Sequence, residues 1–333
     1  METIIQNYLK EAKIGRKQSH RNLAVFPLLS SYAIGLDYIT LDEALSEELI
    51  EVVEVSEEGT VPELKVVNKS PCMILILDGE ELVGAKQNRI VNTTILIQEK
   101  TTTVIPVSCV EQGRWAHTSP QFDSEERLMT AQLRAMKSEQ VHRSIRTSDD
   151  YYSDQAAIWK EISRKARRMR AESPTMAMSE IYEKKRAALD GYINHFRLME
   201  MQVGAVFMIN GKVVGLDCFG KPETFSKVFR KLVESYALDA IDWSEQESSG
   251  KASKSDVTKF LEGAKTARIE HRSSIGLGTD LRLESYKITG FALAHEDQVL
   301  HCSVFARRNG HREEGYSSRM QRYSVRRRGR RNE

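Results

Sequence analysis

Cysteine is scarce and dispersed: Cys72, Cys109, Cys218 and Cys302 form no CxxC pair and have no near neighbour in sequence. That spacing argues against a zinc ribbon and a disulfide-stapled secreted domain, and predicts reduced, mostly buried thiols. Long apolar runs are missing too. No stretch approaches the roughly 18 residues of a membrane helix. The start, METIIQNYLKEAKIGRKQ, lacks a signal peptide's basic, apolar and small-residue regions in order. The expected location is the cytoplasm, with no membrane partner. Familiar catalytic signatures are equally lacking: no GxSxG elbow, Walker GxxxxGK(S/T), HExxH or GxGxxG occurs. The eight His are scattered, so no metal site is expected, and no cofactor is specified.

What is present suits a folded protein. Apolar residues make up 40% and charged residues 29% of 333, enough for a substantial core and too balanced for wholesale disorder. The net charge of +2 is unevenly spread. Residues 307–333 hold ten Arg and three Glu, and the remaining 39 basic and 44 acidic residues leave 1–306 at −5. The body is mildly acidic and the tail reverses its sign.

Periodicity gives the expected elements. Residues 1–20 predict a short helix, with Ile4, Ile5, Tyr8, Leu9 and Ala12 at helical spacing. Short apolar runs at 23–29, 49–55 and 63–68, separated by SEEGT and NKSP, predict strands. Thr40 is placed to cap a short helix at 41–49. CMILILD, RIVNTTILI and TTVIPVSCV predict a meander, the first strand buried on both faces. Beyond Trp115 the period becomes helical, with helices expected from Asp123 or Ser124, through Ile158–Met169, and from about Ser179 to Phe196. Asn210–Gly211 between apolar runs signals a hairpin, and Pro222 opens another helix. SEQESSGKASKS reads as a loop, followed by a helix near 256–270 and a hairpin of YKITGFALA with QVLHCSVFA. ILDGEELVGAKQN and MINGKVVGLDCFG echo one another, which shared turn chemistry explains at least as well as duplication.

Two polar segments are the candidates for chemistry. In GEELVGAKQNR, Glu80 and Glu81 end a buried strand, and Gly84 and Ala85 would admit a ligand to the backbone. Lys86, Gln87, Asn88 and Arg89 then offer cationic and amide donors suited to phosphate or carboxylate. The plainer reading is a solvated hairpin turn. In VSCVEQGRW, Glu111, Gln112, Arg114 and Trp115 could hydrogen-bond and stack on a base or sugar. Cys109 beside them is more simply a small buried residue than a nucleophile. Asp154 and Gln155 of SDQAAIW fit a capped helix start as well as ligand contacts, and SPTMAMS fits an interhelical turn capped at Thr175 or Ser179. The tail interleaves Arg with Tyr316 and Tyr323, a composition suited to nucleic acid as well as to a solubilising extension.

These segments resemble a bacterial and archaeal family, the ARG and rhodanese-phosphatase-superfamily-associated protein domain, where ARG denotes ADP-ribosylglycohydrolases. The resemblance runs from about His20 to Phe305. Its carriers are NLAVFPLL, YITLDEAL, VPELKVVN, GEELVGAKQNR, IPVSCVEQGRW, SDQAAIW, SPTMAMS, QVGAVFMINGKVVGLD, SYALDA and GLGTDLRLE. Met176 departs from the pattern, where a smaller residue is expected. The resemblance implies a role near NAD and ADP-ribose metabolism and carries no catalytic residues with it. Both polar segments belong to its recurring motifs.

The expected architecture is α+β, a β-rich sheet or sandwich from the N-terminal third with helices and later hairpins packed on it. Residues 1–306 would form one body, β-rich over 22–115, helical over 123–200 and mixed over 202–306, with a disordered Arg-rich tail at 307–333. The leading functional expectation is binding or hydrolysis of a nucleotide-derived ligand. Lys86 and Arg89 would hold its diphosphate, Trp115 would stack on its base, and Arg114 would add charge. Gln87, Asn88 and Gln112 would orient sugar hydroxyls. Glu80, Glu81 or Glu111 would supply the general acid or base. This requires both segments to meet. The alternatives are a nucleic-acid-associated protein acting through its tail, and a scaffold or regulatory partner whose motif polar groups pair internally.

Overall fold

The computed structural model describes residues 4–56, 62–114, 119–245 and 250–307. Most of SEEGT, Trp115 and all but the first residue of the tail lie outside them. The described residues form eight helices and eighteen strands, an α+β fold.

The largest sheet has nine strands and is drawn from both ends of the chain. Its order is Lys13–Ile14, Leu23–Leu29, Gln202–Ile209, Lys212–Phe219, Gln298–Ala306, Ile288–His295, Thr279–Glu284 and Arg268–Ser273, with Gln18–His20 also paired to Leu23–Leu29. The expected hairpin forms at Asn210–Gly211, both at positive φ, with Ile209 opposite Lys212. The second expected hairpin joins Ile288–His295 to Gln298–Ala306.

Residues 38–128 supply two further sheets. One has six strands in the order Phe122–Leu128, Glu80–Gly84, Arg89–Val91, Thr102–Cys109, Glu63–Asn68 and Ile50–Glu54. The other joins Ile95–Ile97, Met73–Ile76 and Tyr38–Thr40, the last pair parallel. The expected meander is therefore divided. Met73–Ile76 and Glu80–Gly84 belong to different sheets, so ILDGEELVGAKQN turns the chain from one sheet to another, whereas MINGKVVGLDCFG is a true hairpin. The echo between them is turn chemistry.

Period-2 alternation gives the large sheet two unlike faces. Leu216, Cys218, Leu281, Leu283, Ala292, Cys302 and Val304 join a wholly apolar layer with helices Ile4–Glu11 and Lys254–Lys265. The opposite face carries Asp217, His301 and Ser303 and is covered by helices Ala131–Ser148 and Pro222–Asp242. A second apolar cluster, including Val52, Val66, Ile76, Ile97 and Ile105, fills the space between the smaller sheets.

Local signals hold at several helix starts. Thr40 and Glu43 form a reciprocal capping box on Leu41–Ser46, Asp154 caps Gln155–Arg168, and Pro222 opens Pro222–Asp242. The helix expected from Asp123 is instead a strand. Phe122–Leu128 pairs with Glu80–Gly84, supplying partners for backbone that would otherwise form an open edge. Its register shifts between Ser124 and Leu128, with Glu126 at φ 50°, and the helix begins only at Ala131. The helix expected from Ser179 starts at Met178 on Ala177, without a side-chain cap, and breaks at Lys185 into Met178–Lys184 and Arg186–Ile193. Met176, the departure from the family pattern, sits at φ 52°, a region where a Cβ is disfavoured.

Candidate active site

The turn at Asp78–Gly79 sends three nearby carboxylates into three different elements. Asp78 accepts from Arg134 Nε at 3.3 Å and from Lys137 Nζ, both on helix Ala131–Ser148. Gly79 lies at φ 83°, and a Cβ there would meet the Arg134 Cδ at 3.0 Å. Glu80 accepts from the Leu77 amide at 2.8 Å and pairs with Lys231 of helix Pro222–Asp242, which also reaches Asp42 at 2.6 Å. Burial raises the Glu80 pKa, and Lys231 offsets only part of that.

Glu81 is the chemically distinctive member. It is wholly buried, and this burial pushes its carboxyl pKa up to about 7 against the pull of Arg127 and Asn88. The nearby Glu125 and Glu111 add to the rise. Its Oε1 accepts a long hydrogen bond of 3.4 Å from Asn88 Nδ2. Its Oε2 has no hydrogen-bond partner among the described residues and lies 3.8 Å from Arg127 Nη1. A carboxyl that titrates near neutrality exchanges a proton at working pH, as a general acid or base must.

The two polar segments lie against each other. Gln87 Nε2 donates to the Glu111 carbonyl at 2.8 Å, and the Asn88 amide donates to Glu111 Oε2 at 3.2 Å. Arg114 binds the same carboxylate at 2.6 Å, the Asn88 Oδ1 at 3.0 Å and the Ala85 carbonyl at 2.8 Å. Arg89 is fully buried, donates to Gln87 Oε1 at 3.0 Å and lies 3.7 Å from Glu54. Gln87, Asn88 and Glu111 are likewise buried, Lys86 is half-buried, and Gln112 is exposed. The expected hairpin turn is present, since Glu80–Gly84 pairs antiparallel with Arg89–Val91, but its solvation is overturned because 111–114 packs over it. Cys109 is buried, with its Sγ 2.9 Å from Gln87 Oε1, and burial raises its pKa, as expected of a structural thiol. Gln155 accepts from the Cys109 amide and donates to the Cys109 carbonyl, which fixes this strand end against helix Gln155–Arg168.

Gly84 and Ala85 do bring backbone close to other groups, but those groups are protein. Gly84 lies at φ 132°, and a Cβ would sit 2.5 Å from Ser119 Oγ and 2.6 Å from the Gln121 carbonyl. Gly84→Ala is expected to destabilise by about 2 kcal/mol or more through combined strain and overlap, measurable by urea unfolding. A loss below about 0.5 kcal/mol would mean that segment 119–121 moves freely aside.

A second ionic cluster was missed from sequence. Asp217 Oδ1 accepts from Arg134 Nη2 and from Ser303 Oγ, both at 2.7 Å, and Oδ2 accepts from Tyr236 at 2.9 Å. Burial opposes the charge on Asp217, yet Arg134 and His301 hold its carboxyl well below the usual range. His301 Nε2 lies 3.5 Å from Asp217 and its Nδ1 is 2.8 Å from Thr94 Oγ1, while burial lowers its pKa. Burial also lowers Lys137, to about 8, despite Asp78. The available signal was polar residues alternating with apolar ones inside strands: Asp217 within LDC, Ser303 within CSV, and Asp280 and Arg282 within DLRLE. Arg127 was missed because its segment was assigned to a helix.

Open cavities lie elsewhere: one of about 470 Å³ beside His271 and His295, another of about 360 Å³ beside Met201 and Pro222. Among the described residues, no group of three or more His, Cys, Asp or Glu is placed to hold a metal ion. No described helix is long and apolar enough to cross a membrane.

A family model for the ARG and Rhodanese-Phosphatase-superfamily-associated Protein domain, ARPP-1, matches residues 11–305. The chain belongs to that family. No curated protein and no solved structure gives a significant match. Both polar segments and the Asp217 cluster fall inside the ARPP-1 match, which ends just before the Arg-rich tail.

Proposed function

We propose that this ARPP-1 protein binds and hydrolyses a nucleotide-derived ligand, with Glu81 as the proton-transferring group. One observation carries the reading: a wholly buried carboxyl, raised to about 7, with one oxygen lacking a hydrogen-bond partner among the described residues. Keeping such a group costs stability, and sites of chemistry are where that cost is commonly found. The family's named association with ADP-ribosylglycohydrolases directs the choice of ligand class. In this reading Asn88 and Arg127 position the carboxyl and Glu111 holds Arg114 in place. Lys86 and Gln112, at the outer edge, meet the ligand.

The test is calorimetric titration of the full chain with ADP-ribose, with and without Mg²⁺, then with NAD and AMP, followed by product analysis. Binding retained and turnover lost in Glu81→Gln is the expected result. Flat titrations with all three ligands would sink the proposal.

One observation favours a second reading, a scaffold or regulatory partner. Arg114, Gln87 and Glu111 all engage protein groups, as packing motifs do. It predicts that substitutions here change stability and leave ligand titrations flat.

A further inference from the structure

Arg127 lies in a segment that was not among the sequence candidates, and its geometry towards Glu81 is unusual. Both side chains are at least nine-tenths buried. Neither Glu81 Oε2 nor Arg127 Nη1 has a hydrogen-bond partner among the described residues, and they face each other at 3.8 Å. That is close enough for attraction and too long for a hydrogen bond. Other bonds account for the separation. Arg127 Nη2 is drawn to Glu183 Oε1 at 2.5 Å and Glu125 at 3.5 Å, and the guanidinium lies over the Tyr182 ring at 5.1 Å. Glu81 leans the other way, towards Asn88.

We propose that this pair is a hydroxyl-binding slot, in which one oxygen accepts from Arg127 Nη1 and donates to Glu81 Oε2. The inference rests on the reading of Glu81 as the proton-transferring group. An oxygen about 2.9 Å from each atom closes a triangle on the 3.8 Å base, and because both atoms are buried, admitting it requires neighbouring side chains to give way. A group that accepts on one side and donates on the other is required, which selects a hydroxyl or water. While Glu81 is ionised, a phosphate oxygen without a proton could not donate to it, and an ammonium could not accept from the guanidinium. Arg127 is then a positioning residue. It orients the oxygen towards the carboxyl and keeps the Glu81 pKa from rising further.

The experiment is a pH titration of the Glu81 carboxyl carbon by NMR in the full chain, alone and with D-ribose, paired with a high-resolution crystal structure. In Arg127→Met the midpoint should rise above the wild-type value. Arg127→Lys, which keeps the charge and loses the fork, should hold the midpoint nearer to wild type. If the slot takes a ligand hydroxyl, D-ribose moves the Glu81 signal in the wild type and in neither variant. If it takes water, ribose has no effect, and the crystal structure shows an ordered oxygen about 3 Å from both atoms. Direct closure of Glu81 on Arg127, with no oxygen between them and no ribose response, overturns the proposal. A flat ADP-ribose titration beside an ordered oxygen would reject the ligand class and leave the slot standing.

Discussion

Asp217→Asn is expected to destabilise the protein by about 3–5 kcal/mol, the scale seen when one partner of a buried ion pair is removed. Asp217 receives Arg134, Ser303 and Tyr236 on two oxygens and is fully buried. Without its charge, Arg134 keeps Asp78 as its carboxylate partner among the described residues, and Lys137 also occupies that carboxylate. Urea unfolding at pH 7 with an unchanged denaturant slope is the measurement. A loss below about 1 kcal/mol, typical of an exposed pair, would show that Arg134 finds another partner.

Glu81→Gln has the opposite sign. The wild-type carboxyl is raised in the folded state from 4.5 to about 7, so the folded protein binds that proton more tightly than the unfolded chain. Below the unfolded pKa both states are protonated and the penalty vanishes. As pH rises from about 4.5 to 7, stability falls, by up to about 3 kcal/mol once both states are ionised. The amide cannot ionise. Glu81→Gln should therefore match the wild type near pH 4.5 and exceed it by about 2–3 kcal/mol at pH 8. Thermal or urea unfolding across that range reads the difference. Equal stabilities at pH 8 would mean that Arg127 keeps the carboxyl ionised at little cost, and the proton-transfer role would lose its basis.

The opposite signs separate two uses of buried charge. Asp217 is satisfied on both oxygens, so its removal leaves Arg134 and Lys137 sharing one carboxylate, Asp78. Glu81 is under-satisfied, so neutralising it relieves a cost. Both lie inside one family domain, and the proposed proton-transfer role falls to the second.

Much of the architecture was legible wherever a local rule acts alone. Asn210–Gly211, Thr40 with Glu43, Asp154 and Pro222 need only their neighbours to specify a turn or a helix start. What could not be read depends on distant partners. Phe122–Leu128 is a strand because Glu80–Gly84 requires an edge partner, a demand that no local window around Asp123 records. The polar segments were found by composition, and their contact through Gln87, Asn88 and Glu111 agrees with the requirement that they meet. Their burial was not foreseen, because charge density on a short segment resembles a solvated turn unless the distant segment packed over it is known. Arg134, Lys137 and Asp217 escaped because each looks ordinary until three elements converge.

The interleaving of the large sheet has a consequence for biosynthesis. Leu23–Leu29 leaves the ribosome early, yet its main partner is Gln202–Ile209, and Gln298–Ala306 must slot between Lys212–Phe219 and Ile288–His295. The strands between Ile50 and Cys109 pair largely among themselves and can assemble during elongation. The sheet bearing Asp217 and His301 cannot close until translation is nearly complete. Until Gln202–Ile209 emerges, a nascent chain exposes Leu23–Leu29 as an apolar edge, and until Gln298–Ala306 emerges it exposes Lys212–Phe219.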